Sequence, residues 1–348
     1  MSSARNGAPT PAVARRILSL PTLVSFVFAG AFLVFLVFRF DVDLDAVRAR
    51  LRRADLGLFL LAAAVHYTTF LFRGARWRVL LRSVRTEEER LLPAWHAGAI
   101  ILMSWFANSI TFFRLGDAYR AYAYAEDSGG SFSRTMGTVV SERVVDVALV
   151  FLLLLGSAAA LLVLPGRHPS PLFLGLALAL VAGAGVALGA MLLVRARLVR
   201  WLPRPLAAMY ERFHHGTVGS LRGSQLPLVL GWGVLGWASE VGRLYLVVQA
   251  LGLELALPWV VFVTLANALL TLVPVTPGGL GVVEPGVAGL LALTMPVSAA
   301  ATVALVDRSI SYVSIVLVGG AAFFVRQGVR GARRRREARQ PQVSVEWR

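Results

Sequence analysis

"RLGDAYRAYAYAEDSGGSFSRTMGTVVSERVVD", Arg114 to Asp146, sets Arg114, Asp117, Arg120, Glu142, Arg143 and Asp146 between two long apolar runs. Each Arg, Asp or Glu at the centre of a membrane helix costs about 2.5 to 3.5 kcal/mol on insertion scales, so such groups face a protein interior or a wet cavity. The surroundings are those of a membrane protein. Of 348 residues 57% are hydrophobic and 16% charged, and the mean hydropathy is +0.69, outside the range of soluble domains. A net charge of +16 arises entirely from Arg, since the chain has no Lys. The arginines cluster in short stretches between apolar runs, the pattern of cytoplasmic loops, so nucleic acid is not an expected partner.

The absence of Cys excludes disulfides and thiolate chemistry. The five His (His66, His96, His168, His214, His215) show no metal-ligand spacing, so no metal and no cofactor are expected. An apolar run from Pro21 to Phe38 after Arg5, Arg15 and Arg16 reads as a retained first span rather than a signal peptide. Crossing a hydrocarbon core of about 30 Å takes about 20 apolar residues. Candidate segments are roughly 21–38, 56–72, 94–112, 137–164, 172–194, 226–251, 258–275 and 298–325.

If all eight crossed from a cytoplasmic N-terminus, the Arg-rich loop from Arg195 to Ser224 would lie outside, against the positive-inside rule. The charge balances if the segment from Ala94 dips in and returns through Tyr119 to Tyr124, and Pro258 to Pro296 does the same from the outer side. The stretch from Arg39 to Asp55, with five Arg and four Asp, reads as an interfacial amphipathic piece. Two re-entrant elements from opposite faces are the product of an inverted repeat. "TFFRLGDAYRAY" (Thr111 to Tyr122) overlies "TPGGLGVVEPGV" (Thr276 to Val287) at a constant offset, matching Leu115-Gly116 with Leu280-Gly281, and the same offset sets Glu142-Arg143 on Asp307-Arg308. The expected fold is an all-α polytopic membrane protein, an inverted repeat of transmembrane helices with two broken or re-entrant elements. Residues 1–20 would be a basic cytoplasmic N-terminus, 21–325 a single transmembrane domain, and 326–348 a basic disordered cytoplasmic tail.

Candidate site residues follow from the buried charge and the breaks. Glu142 and Asp146 share a helix face, and Asp307-Arg308 repeats the acid-Arg pair. "LVPVTPGGLGVVEPG" (Leu272 to Gly286) holds three Pro and four Gly around Glu284 and cannot continue a helix. Its exposed amides, at Gly278, Gly279 and Gly281, would suit an anion such as a phosphate. Arg114 and Arg120 could pair with a lipid phosphate, although Arg120 fits an ordinary positive-inside anchor better. Glu240 and Arg243 are three apart and form either a self-satisfying structural pair or part of the site. Arg73, Arg76 and Arg78 around Trp77 look like interfacial anchors and receive no role.

Taken together, "RGARWRVLL" (Arg73 to Leu81), Asn108 to Asp146 and "PVTPGGLGVVEPGVAGLLAL" (Pro274 to Leu293) resemble the lysylphosphatidylglycerol synthase transmembrane region family, a flippase-like membrane domain that also forms the N-terminal part of the multiple peptide resistance factor. The first break departs from the family pattern, with Phe112-Phe113 before Arg114 and Asp117 in place of Glu. The resemblance implies translocation of a phospholipid or polyprenyl-phosphate-linked head group. It implies no aminoacyl transfer, because the soluble synthase domain is not among these residues. On this reading Arg114, Arg143 and Arg308 engage an anionic head, Glu142, Asp146, Glu284 and Asp307 hold them or carry a proton, and Asp117 joins the substrate site at the first break. Expected partners are anionic membrane lipids, a second copy of the chain, and a separate enzyme that makes the lipid substrate. The rival readings are a membrane scaffold or partner subunit with structural ion pairs and, third, a lipid-linked transferase.

Overall fold

A computed structural model of the chain describes residues 44–111, 114–163, 175, 178–183, 185–186, 204–221, 225–271 and 276–337. The segment at 21–38 and the N-terminus lie outside them, as does most of 172–194. All regular structure among the described residues is helical: α1 (Leu44–Arg52), α2 (Leu56–Val84), α3 (Ala94–Ile110), α4 (Leu115–Ser128), α5 (Phe132–Val163), α6 (Arg204–Ser220), α7 (Leu226–Ala250), α8 (Leu257–Leu270), a 3-10 turn (Pro277–Gly279), α9 (Val283–Leu291), α10 (Val297–Arg308), a π turn (Ser309–Ser314) and α11 (Ile315–Glu337).

Three stretches are long and apolar enough to cross a membrane: Leu56–Val84, Phe132–Val163 and Val297–Gly331. At 1.5 Å per residue α3, α4, α8 and α9 reach only about 26, 21, 21 and 14 Å, less than the roughly 30 Å of hydrocarbon. They form two broken elements. The first folds back on itself. Arg90 N–H donates to Ser128 O (3.0 Å), Leu92 N–H to the Tyr124 hydroxyl (3.1 Å), and Gly116 N–H at the turn to Asn108 Oδ1 (2.8 Å). The start of α3 and the end of α4 therefore share one face of the protein. The second break opens to the opposite face. Asp55 N–H donates to Ala250 O (2.8 Å), which sets the end of α7, and so the start of α8, beside the start of α2. The helix from Val297 runs from that face to the first, where Arg326 meets Asp127 (2.5 Å).

The halves are inverted copies. α2 and α7 occupy equivalent places and pack antiparallel: Thr68 Oγ1 meets Ser239 Oγ (3.0 Å) and Thr69 Oγ1 donates to Gly236 O (3.4 Å). α5 packs on α8, and α11 on α3. The sheath around the charged groups is apolar and fully buried, with Trp77, Leu80, Ile100, Ile101, Leu154, Phe262 and Leu265 at its core.

Two expectations change. The stretch from Arg195 to Ser224, expected as a loop, carries α6, which lies against α5 where Gly137 and Gly216 bring the two backbones together: a Cβ on either would stand 2.2 Å from a carbonyl oxygen of the other helix. The basic tail does not begin at 326. α11 continues to Glu337, because Arg326 and Arg330 find carboxylate partners in Glu126 and Asp127 at the end of α4. Residues 338–348 lie outside the described part.

The second break depends on Gly278, at φ 60, where a Cβ would stand 2.3 Å from the Tyr312 ring. Gly278→Ala should lower stability by about 2 kcal/mol or more, combining left-handed strain with a clash. Gly289→Ala, with open space around it, should stay within about 0.5 kcal/mol or gain up to about 1 from helix propensity. Thermal unfolding in detergent compares the two.

Candidate functional site

Ion pairs tie each half together from inside. Arg76 on α2 is 1% exposed and grips two carboxylates of α5, Nη1 to Asp146 Oδ1 and Nη2 to Glu142 Oε1, both at 2.7 Å. Glu142 and Asp146 point the same way because they lie one helical turn apart. The other oxygen of Glu142 takes Arg120 Nη1 from α4 (2.9 Å), and the other oxygen of Asp146 takes Arg73 Nη1 (3.3 Å). The Arg73 guanidinium also lies between the Trp105 and Trp237 rings, 5.4 and 5.2 Å from their centroids, a stacking that suits its flat, weakly hydrated cation.

The two acid-Arg pairs perform the same task in each half. Arg143 Nη2 bonds Asp117 of its own break (3.0 Å), and Arg308 Nε bonds Glu284 of its own (2.7 Å). Glu142 turns to Arg76 on α2, and Asp307 turns to Arg243 on α7 (3.0 Å). Arg76 and Arg243 thus match in role on the two antiparallel helices, though not at the offset that sets Glu142-Arg143 on Asp307-Arg308. Sequence reasoning gave them opposite treatment: Arg243 was part of a candidate pair, and Arg76 an interfacial anchor.

Between the two breaks lies a cavity of about 230 Å³, lined from both halves. The breaks meet at its floor, where Arg114 Nη1 donates to Thr271 O (3.1 Å) and the Tyr312 hydroxyl donates to Ser109 O (3.1 Å). Arg114, Arg143, Asp146, Gly278, Gly279 and Arg308 line the cavity, together with Glu240 and Arg243. Asp117, Glu284 and Asp307 stand behind this wall and hold its arginines, while Glu142 pairs with Arg76 and Arg120 away from the cavity and Gly281 donates its amide to Glu284. The lining carries five arginines, Arg73, Arg114, Arg143, Arg243 and Arg308, against two acids, Asp146 and Glu240.

The excess is sharpest at the first break. Arg114 and Arg143 share one carboxylate, Asp117, at 3.5 and 3.0 Å, and both side chains remain partly open, at 29% and 20%. Arg114 adopts φ 53, a left-handed conformation that costs a non-glycine residue of order 1 to 3 kcal/mol and persists where surrounding structure requires it. On the opposite wall Arg308 lies 4.8 Å from the Tyr312 ring centroid, beside the π turn that re-aims this helix, a device frequent at functional sites.

Three readings of the sequence need correction. Arg73 and Arg76 are not interfacial anchors: α2 runs twelve residues beyond the apolar stretch that ended at 72, and carries both into the core. Arg120 is likewise buried, 1% exposed, with its guanidinium 5.1 Å from the Trp77 ring centroid. Two of the three glycine amides expected to meet an anion at the second break are already taken. Gly279 N–H donates to Thr276 O and Val282 N–H to Gly279 O, while Gly281 N–H is taken by Glu284 Oε2 (2.8 Å). The overlooked signal was the spacing of His66, Thr69, Phe70, Arg73, Arg76, Trp77 and Leu80, one continuous buried helical stripe.

The family model for the lysylphosphatidylglycerol synthase TM region matches residues 17–319, which take in both breaks and every ion pair of the cavity wall. The chain belongs to this family. Among curated relatives, a UPF0104 membrane protein of Methanocaldococcus jannaschii is 32% identical over 224 residues, 63% of this chain and 94% of the relative. UPF0104 membrane proteins of Methanothermobacter thermautotrophicus and Pyrococcus horikoshii are 24% and 23% identical, covering 76% and 77% of the chain and 82% and 87% of their own lengths. Within the matched segment the described helices pack around buried arginines.

The two classes of arginine should separate on substitution. Arg76→Leu leaves Glu142 and Asp146 short of a cation in a dry site, and should cost about 3 to 5 kcal/mol. Arg114→Leu leaves Asp117 still paired with Arg143, and should cost about 1 kcal/mol or less. Denaturation in mixed micelles measures both.

Proposed function

We propose that this membrane protein moves an anionic lipid head group, a phospholipid or a polyprenyl-phosphate-linked one, from one leaflet to the other. The observation that carries the reading is the cation-rich cavity between two inverted breaks, with Arg114, Arg143 and Arg308 directed into it. A phosphate crossing bare hydrocarbon has no partners. In the cavity it exchanges water for guanidinium groups already held in place, while its acyl chains stay in lipid. Alternating access follows from the symmetry, since each break opens toward its own face and both meet at the same floor.

A purely structural role accounts for Arg76, Arg120 and Arg243, each nearly unexposed and matched by carboxylates. It does not account for two partly open arginines on one carboxylate beside a cavity. A transferase would need an acid or base free to meet its substrate, and Asp146 of the cavity is taken up by Arg73 and Arg76. We therefore place this chain among transporters rather than enzymes, acting on lipid supplied by a separate enzyme.

The positive-inside rule orients the molecule. The face that gathers Arg82, Arg85, Arg90, Arg134, Arg326 and Arg330 at helix ends would be cytoplasmic, and with it both termini of a multi-pass protein of the cell membrane. A second copy of the chain remains a partner to be sought by cross-linking in the membrane.

Reconstituted vesicles carrying a trace of acyl-labelled fluorescent phosphatidylglycerol, read by dithionite bleaching, test the proposal. Arg143→Ala and Arg308→Ala should each slow translocation by about ten- to a hundredfold, the scale of one lost charge-assisted hydrogen bond of about 1.5 to 3 kcal/mol. Wild-type rates in both variants would contradict it.

A further inference from the structure

Behind the second-half wall of the cavity lies a buried group that the anion-translocation reading leaves without a task. Arg243 of α7 faces two carboxylates, Glu240 at 3.3 Å and Asp307 at 3.0 Å. Of the neighbouring arginines, Arg308 bonds Glu284 (2.7 Å), and Arg73 is hydrogen-bonded to Asp146 (3.3 Å), which it shares with Arg76. Two carboxylates on one guanidinium leave one negative charge over, at residues that are 7%, 2% and 2% exposed. An uncompensated buried charge is strongly disfavoured. Next to it stands His66 of α2, fully buried, its Nδ1 3.4 Å from Glu240 Oε1 and its two ring nitrogens without a hydrogen bond. The Tyr67, Phe70 and Trp105 rings enclose it, with centroids 5.6 to 6.3 Å away.

We propose that His66, Glu240, Arg243 and Asp307 form a proton-binding site that couples lipid movement to a transmembrane proton gradient. This rests on the anion-translocation reading above and adds its source of energy. One proton removes the excess negative charge, and imidazole is the side chain that takes up a proton near neutral pH. The charged and titratable groups facing the His66–Glu240 pair are Arg73 and Tyr67 from α2, Arg243 from α7, and Asp307 and Arg308 from α10, while α3 presents the Trp105 ring. Glu240 lines the cavity, so the proton arrives from cavity water, stays on the imidazole–carboxylate pair, and returns to water when the cavity opens to the other face.

The coupling is Coulombic. With the proton bound, the second-half wall is neutral and the excess cations of the first half attract the phosphate. When the proton leaves, the wall turns negative and opposes the anion across a cavity of about 230 Å³. Anion and proton therefore bind together and depart together.

The test uses the full chain in phosphatidylcholine vesicles with trace acyl-labelled fluorescent phosphatidylglycerol, an imposed pH difference and protein-free vesicles for reference. With one proton per monoanion, the steady ratio of label between leaflets should approach about tenfold per pH unit above the reference, reverse with the gradient, and ignore a clamped membrane potential because the pair is neutral. In His66→Gln and in Glu240→Gln the ratio should fall to that of the reference. Wild-type translocation that ignores the gradient, or either variant that keeps the full ratio, would overturn the proposal. If the wild type moves no lipid, the translocation reading itself fails, and the proton site is judged separately by nitrogen-15 NMR of histidine-labelled protein in nanodiscs. There the wild type should show a doubly protonated imidazole that is missing in both variants. Its absence from the wild type would overturn the site.

Discussion

The structure depends on the grip of one buried guanidinium on two carboxylates, Arg76 on Glu142 and Asp146. A bare charge in a helical core surrounded by lipid has nowhere to recruit water, so it has to be neutralised by neighbours at hydrogen-bond distance. Glu142 and Asp146 cannot be neutralised by their own helix alone. They draw in α2 through Arg76 and Arg73, and α4 through Arg120. That demand keeps the short α3–α4 hairpin packed inside the protein instead of floating in lipid, and from this the shape of the first half follows.

The second half meets the same demand with fewer groups. Arg243 replaces Arg76, Asp307 replaces Glu142, and Arg308 holds Glu284 as Arg143 holds Asp117. The two copies pack antiparallel through α2 and α7, so their breaks approach from opposite faces and meet at Ser109, Thr271 and Gly278. Neither break can fill the space between them, since one is turned by a left-handed Arg114 and the other by three left-handed glycines. The cavity is the consequence. Its cation excess comes from five lining arginines against two lining acids, three of the arginines, Arg73, Arg114 and Arg143, belonging to the first half.

Much of this was legible in the chain itself. Leu115-Gly116 recurs as Leu280-Gly281, and Glu142-Arg143 recurs as Asp307-Arg308 at the same offset. That spacing carries the inverted halves and both breaks, because a repeated glycine turn before a repeated buried pair has little reason to exist in a single-copy bundle. Legibility failed where local chemistry is ambiguous. Arg73 and Arg76 follow an apolar run as interfacial anchors do, and only the continued helix to Val84 shows that they face inward. The glycine-rich break looked like a phosphate cradle, yet Glu284 lies three residues beyond Gly281 and takes its amide. His66, in an apolar stretch, gained meaning only when α7 set Glu240 beside it.

Translocation through this protein requires that water reach the space between the breaks, even though that space lies within the membrane-embedded helices. The chain has no native Cys, so single cysteines report without background. Ser311→Cys, Thr264→Cys and Asn267→Cys on the cavity wall, and Leu154→Cys in the dry core, can each be exposed to a charged methanethiosulfonate reagent in native membranes. The account predicts modification at the three cavity positions, slowed by anionic lipid, and none at 154. Cavity cysteines as unreactive as the one at 154 would contradict it.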